Sequence, residues 1–287
     1  MPSSIISLTT DFGASGWFVG AMKGVVLGIN PGVTLIDISH SVPPQNIAHG
    51  AFVLGTTYRH FPPGTVHVGV VDPGVGTSRQ PLLLVTPTGH FVAPDNGLLT
   101  YVLLDHGVEV RASADGPDFL APLVEQVPEG CSAYALTERE YWRHPVSDTF
   151  HGRDIFAPVA AHLSLGMSPR ELGEPVKQVV VLNVHPPVHD QETIEGRIIF
   201  VDPFGNLVSN ISSSLLRGED LRVEIGDTLI SGLSRTFAEA DGLLALVGSH
   251  GYLEIAERNG NAARLLNLGV GGKLRLVLSV TGPPKNA

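Results

Sequence analysis

An α/β N-terminal domain with a largely parallel sheet, followed by an all-β, barrel-like C-terminal domain, is the fold class this sequence predicts. Three observations carry it. Strand-like and helix-like runs alternate up to about residue 185, helical periodicity then gives way to short β-branched or leucine-rich runs between turn residues, and Pro186-Pro187 forms a stiff link near the change. The predicted domains are therefore 1–185 and 186–287.

In chain order, Ile5–Leu8 reads as a strand, Trp17–Ile29 as a helix, Thr34–Ile38 as a strand, Asn46–His60 as a helix and Val66–Val71 as a strand. Gly16, Gly20, Gly24 and Gly28 recur every four residues, which predicts a smooth stripe by which the first helix lies close against the sheet. Lys23 and the short length argue against the other use of such spacing, a membrane helix pair. Between Gly107 and Thr137 a mixture of Pro, Gly, Asp and Glu blurs the periodicity and predicts a long loop. Ile155–Leu165 has helical apolar spacing. Beyond Lys177 the runs Val179–Val184, Ile194–Val201, Leu221–Ile225, Leu243–Val247 and Leu274–Val280 read as strands of a barrel or sandwich.

With 287 residues, 43% of them hydrophobic and 16% charged, the chain has the composition of a soluble globular protein with an ample core. A formal net charge of −10 disfavours nucleic acid as a partner and suits a cationic small molecule. The single cysteine, Cys131, has no internal disulfide partner, and no Cys/His pair has zinc-ligand spacing, so no metal is expected. The N-terminus lacks the pattern of a signal peptide, and no apolar run approaches the roughly 18 residues that span a bilayer. A cytoplasmic protein without a membrane partner is the expectation.

The segment from Val70 to Arg79 is the most informative. A strand-like run ends in Asp72, then Pro73-Gly74-Val75-Gly76, then Arg79. Here a backbone free of bulk meets a carboxylate and a guanidinium. It is not a dinucleotide fingerprint, because no third glycine follows at the required spacing and Pro81 blocks an immediate helix. Ligands of open α/β sheets sit beyond the carboxyl ends of strands. Asp11 and Asp72 both fall just past such ends, which places them in one site.

Five further motifs accompany this one: Thr9-Thr10-Asp11-Phe12-Gly13, Ala93-Pro94-Asp95-Asn96-Gly97, the run from Thr149 through His151 to Pro158, Asp202-Pro203-Phe204-Gly205-Asn206 with Asn210-Ile211, and Ser249-His250-Gly251-Tyr252-Leu253-Glu254-Ile255-Ala256. In that order they resemble the S-adenosylmethionine (SAM) hydroxide adenosyltransferases, the hydrolase branch of a family that also contains fluorinases and chlorinases. The resemblance runs from about residue 5 to about residue 280.

It implies hydrolysis of SAM to adenosine and L-methionine by water or hydroxide at the 5′ carbon, with SAM as substrate, no cofactor, and a homotrimer whose sites lie between neighbouring subunits. The sulfonium departs as a neutral thioether and needs no acid, so a dry, preorganised pocket that positions the nucleophile suffices. Asp72, Arg79 and His151 match the residues that hold the attacking oxygen. Arg79, a permanent cation, favours hydroxide, while His151 and Asp72 orient it and accept its proton; either could be the base. Asp11 matches the acid that receives the ribose hydroxyls, a role suited to a carboxylate. Asp95, Asn96 and Glu254 belong to the substrate-binding motifs, Asn206 and Ser249 match residues at the methionine end, and Asp202 is placed to meet its ammonium. Phe237 either stacks on adenine or packs in the core.

His250 stands where the halogenases place an arginine for the methionine carboxylate. Those enzymes also replace the first-motif carboxylate with tyrosine and carry an insertion before the Asn-Gly motif. This chain has Asp72, and only Gln80 through Ala93 separate Arg79 from Pro94, which favours the hydrolase over the halogenase. A sensor of SAM or adenosine has no use for a hydroxide site. A nucleic-acid protein is disfavoured by charge and by the absence of a basic-aromatic stripe.

Overall fold

The computed structural model describes residues 4–110, 118–216 and 221–278. The chain divides into two compact units: Met1–Glu109 with Leu120–Asn183, and Val110–Phe119 with Val184–Ala287.

The first unit contains β1 (Ile5–Thr10), α1 (Phe18–Ile29), β2 (Thr34–Ser39), α2 (Ile47–Thr57), β3 (Thr65–Val70), β4 (Pro81–Val85), β5 (Gly89–Pro94), α3 (Thr100–Asp105), β6 (Pro122–Gln126), β7 (Ser132–Ala135), α4 (Ala157–Ser164), β8 (Glu174–Val176) and β9 (Gln178–Leu182). Seven strands form one sheet in the order β2-β1-β3-β5-β4-β7-β8. The four from β2 to β5 are parallel, and β4, β7 and β8 extend the sheet antiparallel.

Both faces of the sheet are covered at β3, whose six residues are all buried, whereas the edge strand β2 stays partly exposed. Ile6, Leu8, Val66, Val68 and Val70 pack with Met22 and Val26 of α1 and with Val159 and Ala160 of α4. On the other face Phe52 of α2 meets Tyr101 of α3 edge-on. Asn46 starts α2 by accepting a hydrogen bond from His49 N, a side-chain cap that explains why the helix begins where its apolar pattern does.

Two expectations fail here. Gly16, Gly20, Gly24 and Gly28 face outward, and α1 buries Met22 and Val26 instead. Removing large apolar side chains from water stabilises far more than a bare glycine stripe, so the opposite helix face turns inward. The segment from Gly107 to Thr137 is not one long loop either. Within it β7 extends the main sheet beside β4, and β6 pairs with β9 in a separate two-stranded sheet. Both strands are short and flanked by Pro and Gly, so backbone pairing fixes them where side-chain periodicity is silent. Positions 111–117 of that segment lie outside the described residues. β9 therefore pairs within the first unit, although its β-branched run resembles the strands that follow.

The second unit comprises β10 (Val188–His189), β11 (Thr193–Val201), β12 (Leu207–Ser212), β13 (Leu221–Ile225), β14 (Thr228–Ser231), β15 (Leu243–Val247), β16 (Tyr252–Glu257), α5 (Ala262–Leu266) and β17 (Lys273–Leu278). Its sheet runs β14-β13-β17-β11-β12-β16-β15, with β10 beside β11, and every strand pairing is antiparallel. A bridge between Ser234 and Leu246 brings the segment after β14 onto β15, so the sheet nearly closes into a barrel around Ile198, Leu207, Val223, Ile255 and Leu276. The short helix α5, capped by Asn261, is an addition to the expected all-β pattern. No helix among the described residues is long and apolar enough to cross a membrane.

One polar pair sits inside the first unit's sheet. Ser7 Oγ and His67 Nδ1 are hydrogen-bonded at 2.7 Å across β1 and β3, and the imidazole stacks on Phe91 with ring centroids 4.9 Å apart. Burial pushes the His67 pKa from its ordinary 6.5 to about 4. The unfolded chain thus binds a proton that the folded chain refuses between those values. Stability from this group is present in full above pH 6.5 and declines as pH falls toward 4, by roughly 3 kcal/mol in all. Urea midpoints followed from pH 7.5 to 4.5 should fall less steeply for His67→Gln than for the parent chain; identical pH dependence would contradict the assignment.

Candidate active site

Parallel strands that are neighbours release their chains at one edge of a sheet. Asp11 follows β1 by one residue, Asp72 follows β3 by two, and Asp95 and Asn96 follow β5 directly, so these four positions share the carboxyl edge of three adjacent strands. Within this edge the side chains divide into scaffold and free chemistry. Asn96 donates from Nδ2 to Val71 O at 2.9 Å and accepts from Leu98 N at 3.1 Å, which ties the end of β5 to the end of β3. Asp95 Oδ1 accepts from Val180 N at 2.7 Å, and burial raises its pKa. Asp11 Oδ2 accepts from Gln45 N at 2.7 Å, with Gln45 held at φ 65°, and its Oδ1 points to no hydrogen-bond donor among the described residues.

Beyond β3 the chain makes a tight turn. Val75 N donates to Asp72 O, Thr77 N donates to Gly74 O, and Gly76 sits at φ 76° with its Cα so close to the Asp148 carbonyl that an added Cβ would lie 2.4 Å from that oxygen. The turn folds Arg79 back onto Asp72. Its Nε donates to Asp72 Oδ1 at 2.9 Å, Nη2 closes the second arm onto Oδ2, and Nη2 also donates to His151 Nδ1 at 2.7 Å. The guanidinium lies 5.3 Å from the centroid of the Phe156 ring, and the side chains of Arg79 and Asp72 are only 10% and 5% exposed. A desolvated, two-armed pair of this kind has its geometry fixed by both partners.

His151 stands at the start of a widened helical turn, Gly152–Phe156, that runs into α4. Single turns of this π type recur at functional sites. Asp154, with a fully buried side chain, anchors it: Arg153 Nε donates to it at 2.7 Å and Ser147 N at 2.9 Å, and these partners hold its carboxyl below the usual range against the cost of burial. Arginine only donates, so Nδ1 of His151 is an acceptor and the neutral ring carries its proton on Nε2. Burial, and then the Arg79 charge, keep the His151 pKa below the ordinary imidazole value, with Asp72 opposing them. Asp72, Arg79 and His151 thus form one cluster, as their sequence motifs predict. Each Asp72 oxygen retains a further lone pair, and Nε2–H of His151 is a donor.

In the second unit a cavity of about 1040 Å³ is lined by Asp202, Phe204, Asn206, Phe237, Ser249 and Glu254 together with Arg235 and Arg258. Asp202, Asn206, Ser249 and Glu254, four residues singled out from the sequence, therefore share one wall system with Phe237, which is 49% exposed and is not a core side chain. Asp202 Oδ1 accepts from Phe204 N and Asn206 N, and its Oδ2 accepts from Asn206 Nδ2 at 2.8 Å, so this carboxylate builds the turn that presents Phe204. Phe204 is 75% exposed, and sequence reasoning missed it even though it lies inside a quoted motif. The motif marks a turn, but it does not say whether the aromatic faces a core or a cavity. Glu254, buried, faces His250 with Nε2 and Oε2 3.0 Å apart. An added Cβ at Gly248 would lie 2.4 Å from that imidazole nitrogen, so only glycine leaves room for the pair. Among the described residues no group of three or more His, Cys, Asp or Glu side chains is arranged to hold a metal ion.

An acid–base cluster at a sheet's carboxyl edge, with an aromatic-lined cavity in an antiparallel barrel, defines a two-domain protein built to bind and act on a small molecule. The comparisons with known proteins name its family. Residues 6–173 match the SAM hydroxide adenosyltransferase N-terminal domain and residues 196–275 match the C-terminal domain of the same family, to which the chain belongs. It is 34% identical over 286 residues to an (R)-S-adenosyl-L-methionine hydrolase of Methanocaldococcus jannaschii, covering 92% of each chain. It is 26% identical over 313 residues to a fluorinase of Actinopolyspora mzabensis, covering 96% of this chain and 97% of the other. A crystal structure of an uncharacterized conserved protein from Thermotoga maritima superposes with a TM-score of 0.81 at 35% identity, over 95% of this chain and 99% of that one.

Proposed function

We propose that this chain hydrolyses SAM to adenosine and L-methionine by attack of water or hydroxide at the 5′ carbon. The observation that carries the reading is the Arg79 guanidinium bridging Asp72 and His151, because it gathers a cation, a carboxylate and an imidazole, the groups that handle an attacking oxygen, into one cluster. The relationship to a SAM hydrolase at 34% identity, against 26% to a fluorinase, supports it.

In this mechanism SAM is the substrate, with no cofactor and no metal. Arg79 lowers the cost of negative charge on the attacking oxygen. With Nδ1 occupied by Arg79, His151 donates from Nε2 to that oxygen and fixes its direction. Asp72 is then the acceptor of its proton, through the lone pairs that Arg79 leaves. As the oxygen bonds to C5′, the C5′–S bond breaks and its electron pair returns to sulfur, giving neutral methionine thioether. Opposite charges cancel on the way, so exclusion of water from the site speeds the step.

Recognition falls to the other side chains. Asp11 takes the ribose hydroxyls, Phe237 and Phe204 cover the faces of adenine, and Asn206, Ser249, Asp202 and Glu254 serve the adenine edge and the methionine end. Asp95 and Asn96 position the loop through their backbone partners. Two half-sites on separate units suit a homotrimer in which neighbouring subunits each supply one half. A cytoplasmic location fits a SAM-consuming enzyme.

Incubation with SAM should yield adenosine and L-methionine, with no halogenated nucleoside as the main product in molar chloride. Asp72→Asn, Arg79→Ala and His151→Ala should each lower turnover by roughly 10²–10⁴ with much smaller changes in SAM affinity. Near-normal turnover in all three would remove the mechanism, a chlorinated product would favour the halogenase, and bound but unchanged SAM would favour a sensor. For the shared site, Asp72→Ala and Asn206→Ala chains, each inactive, should regain activity when co-refolded, with about a quarter of sites intact in a cyclic assembly. Mixed trimers without recovery would confine the site to one chain.

A further inference from the structure

The cavity of the second unit carries a recognition problem that its sequence motif does not solve. The methionine end of the substrate bears a carboxylate, and at position 250 this chain has histidine. That imidazole is fully engaged: Tyr252 N donates to Nδ1 at 3.2 Å, which places the ring proton on Nε2, and Nε2 donates to the buried Glu254 carboxylate at 3.0 Å. A neutral ring with both nitrogens committed offers an anion neither charge nor donor. Ser249 contributes one hydroxyl and no charge.

Two arginines line the same cavity. Arg258 Nη1 is paired with Asp241 Oδ1 at 2.9 Å. Arg235 has its backbone pinned by donation from its N to Glu239 Oε2 at 2.6 Å, while its guanidinium has no ion pair among the described residues. Its neighbour two residues on is Phe237, the exposed aromatic of the same wall. The other charges facing the cavity, Asp202, Glu254 and Glu257, are acidic and would repel a carboxylate unless a cation stood among them.

We propose that Arg235, with the Ser249 hydroxyl, holds the α-carboxylate of the methionine part of SAM. Arg235 thus replaces in space the arginine that this chain lacks at position 250. The assignment rests on SAM as the ligand but not on its hydrolysis. A planar guanidinium is suited to the task, since it meets both carboxylate oxygens with parallel N–H groups. The acids that remain around it select for the ammonium of the same amino acid.

The test compares SAM with its decarboxylated analogue, S-adenosyl-3-methylthiopropylamine, by calorimetric binding to the full chain carrying Asp72→Asn to suppress turnover. Adding Arg235→Gln should weaken SAM binding about 10- to 100-fold and leave the analogue within about two-fold, with Arg235→Lys recovering part of the loss. Equal weakening of both ligands, or of neither, would overturn the assignment. So would a carboxylate-specific loss produced by Arg258→Ala and absent from Arg235→Gln. Product analysis of the unmutated chain is scored separately: SAM bound but not hydrolysed removes the hydrolase reading alone, whereas no SAM binding removes both.

Discussion

The interaction on which the site depends is the contact of one guanidinium with two partners from distant parts of the chain. Arg79 is clamped to Asp72 by two arms and gives a further N–H to His151, a residue that stands 72 positions later. Breaking a desolvated pair from one side leaves a buried, uncompensated charge, so each partner enforces the position of the other two. The features around it serve that geometry. The Gly76 turn folds Arg79 back, the Asn96 amide ties two strand ends together, and Asp154 anchors the segment that carries His151.

The same clamp decides the chemistry. A histidine whose Nδ1 faces a permanent cation is biased to stay neutral, and its proton resides on the side away from that cation. On the proposed mechanism it acts as a donor, and the carboxylate is the proton acceptor. Such a cluster handles an oxygen nucleophile and leaves the leaving group alone, which matches a sulfonium that departs without protonation. The second unit holds a barrel cavity walled by two exposed phenylalanines, a buried glutamate and two arginines. On the hydrolase reading the α/β unit performs the reaction and the barrel supplies selectivity.

How much of this was legible in the sequence follows from which interactions are local. The strand-end positions of Asp11 and Asp72 were readable because alternation of strand and helix dictates a parallel sheet and the sheet dictates where ligands sit. The joining of Arg79 to His151 was reachable only through motif resemblance, since no periodicity links positions so far apart. The glycine stripe on α1 was misread because spacing shows that a face is smooth but not which way it points; Met22 and Val26 decided that. β6 and β7 were missed because cross-strand pairing, not amphipathicity, makes them strands. Phe204 and Arg235 escaped for a further reason: both line a cavity that exists only once the barrel has nearly closed.

The measurement that bears most directly on the account is the ionisation and tautomer of His151, read from imidazole nitrogen shifts in the isotope-labelled protein. The account predicts a neutral ring protonated on Nε2 at pH 7, titrating below 6.5, with the midpoint moving up when Arg79 is replaced by methionine. A proton on Nδ1, or a midpoint above 6.5 that does not respond to Arg79, would contradict the clamp and with it the assignment of Asp72 as proton acceptor.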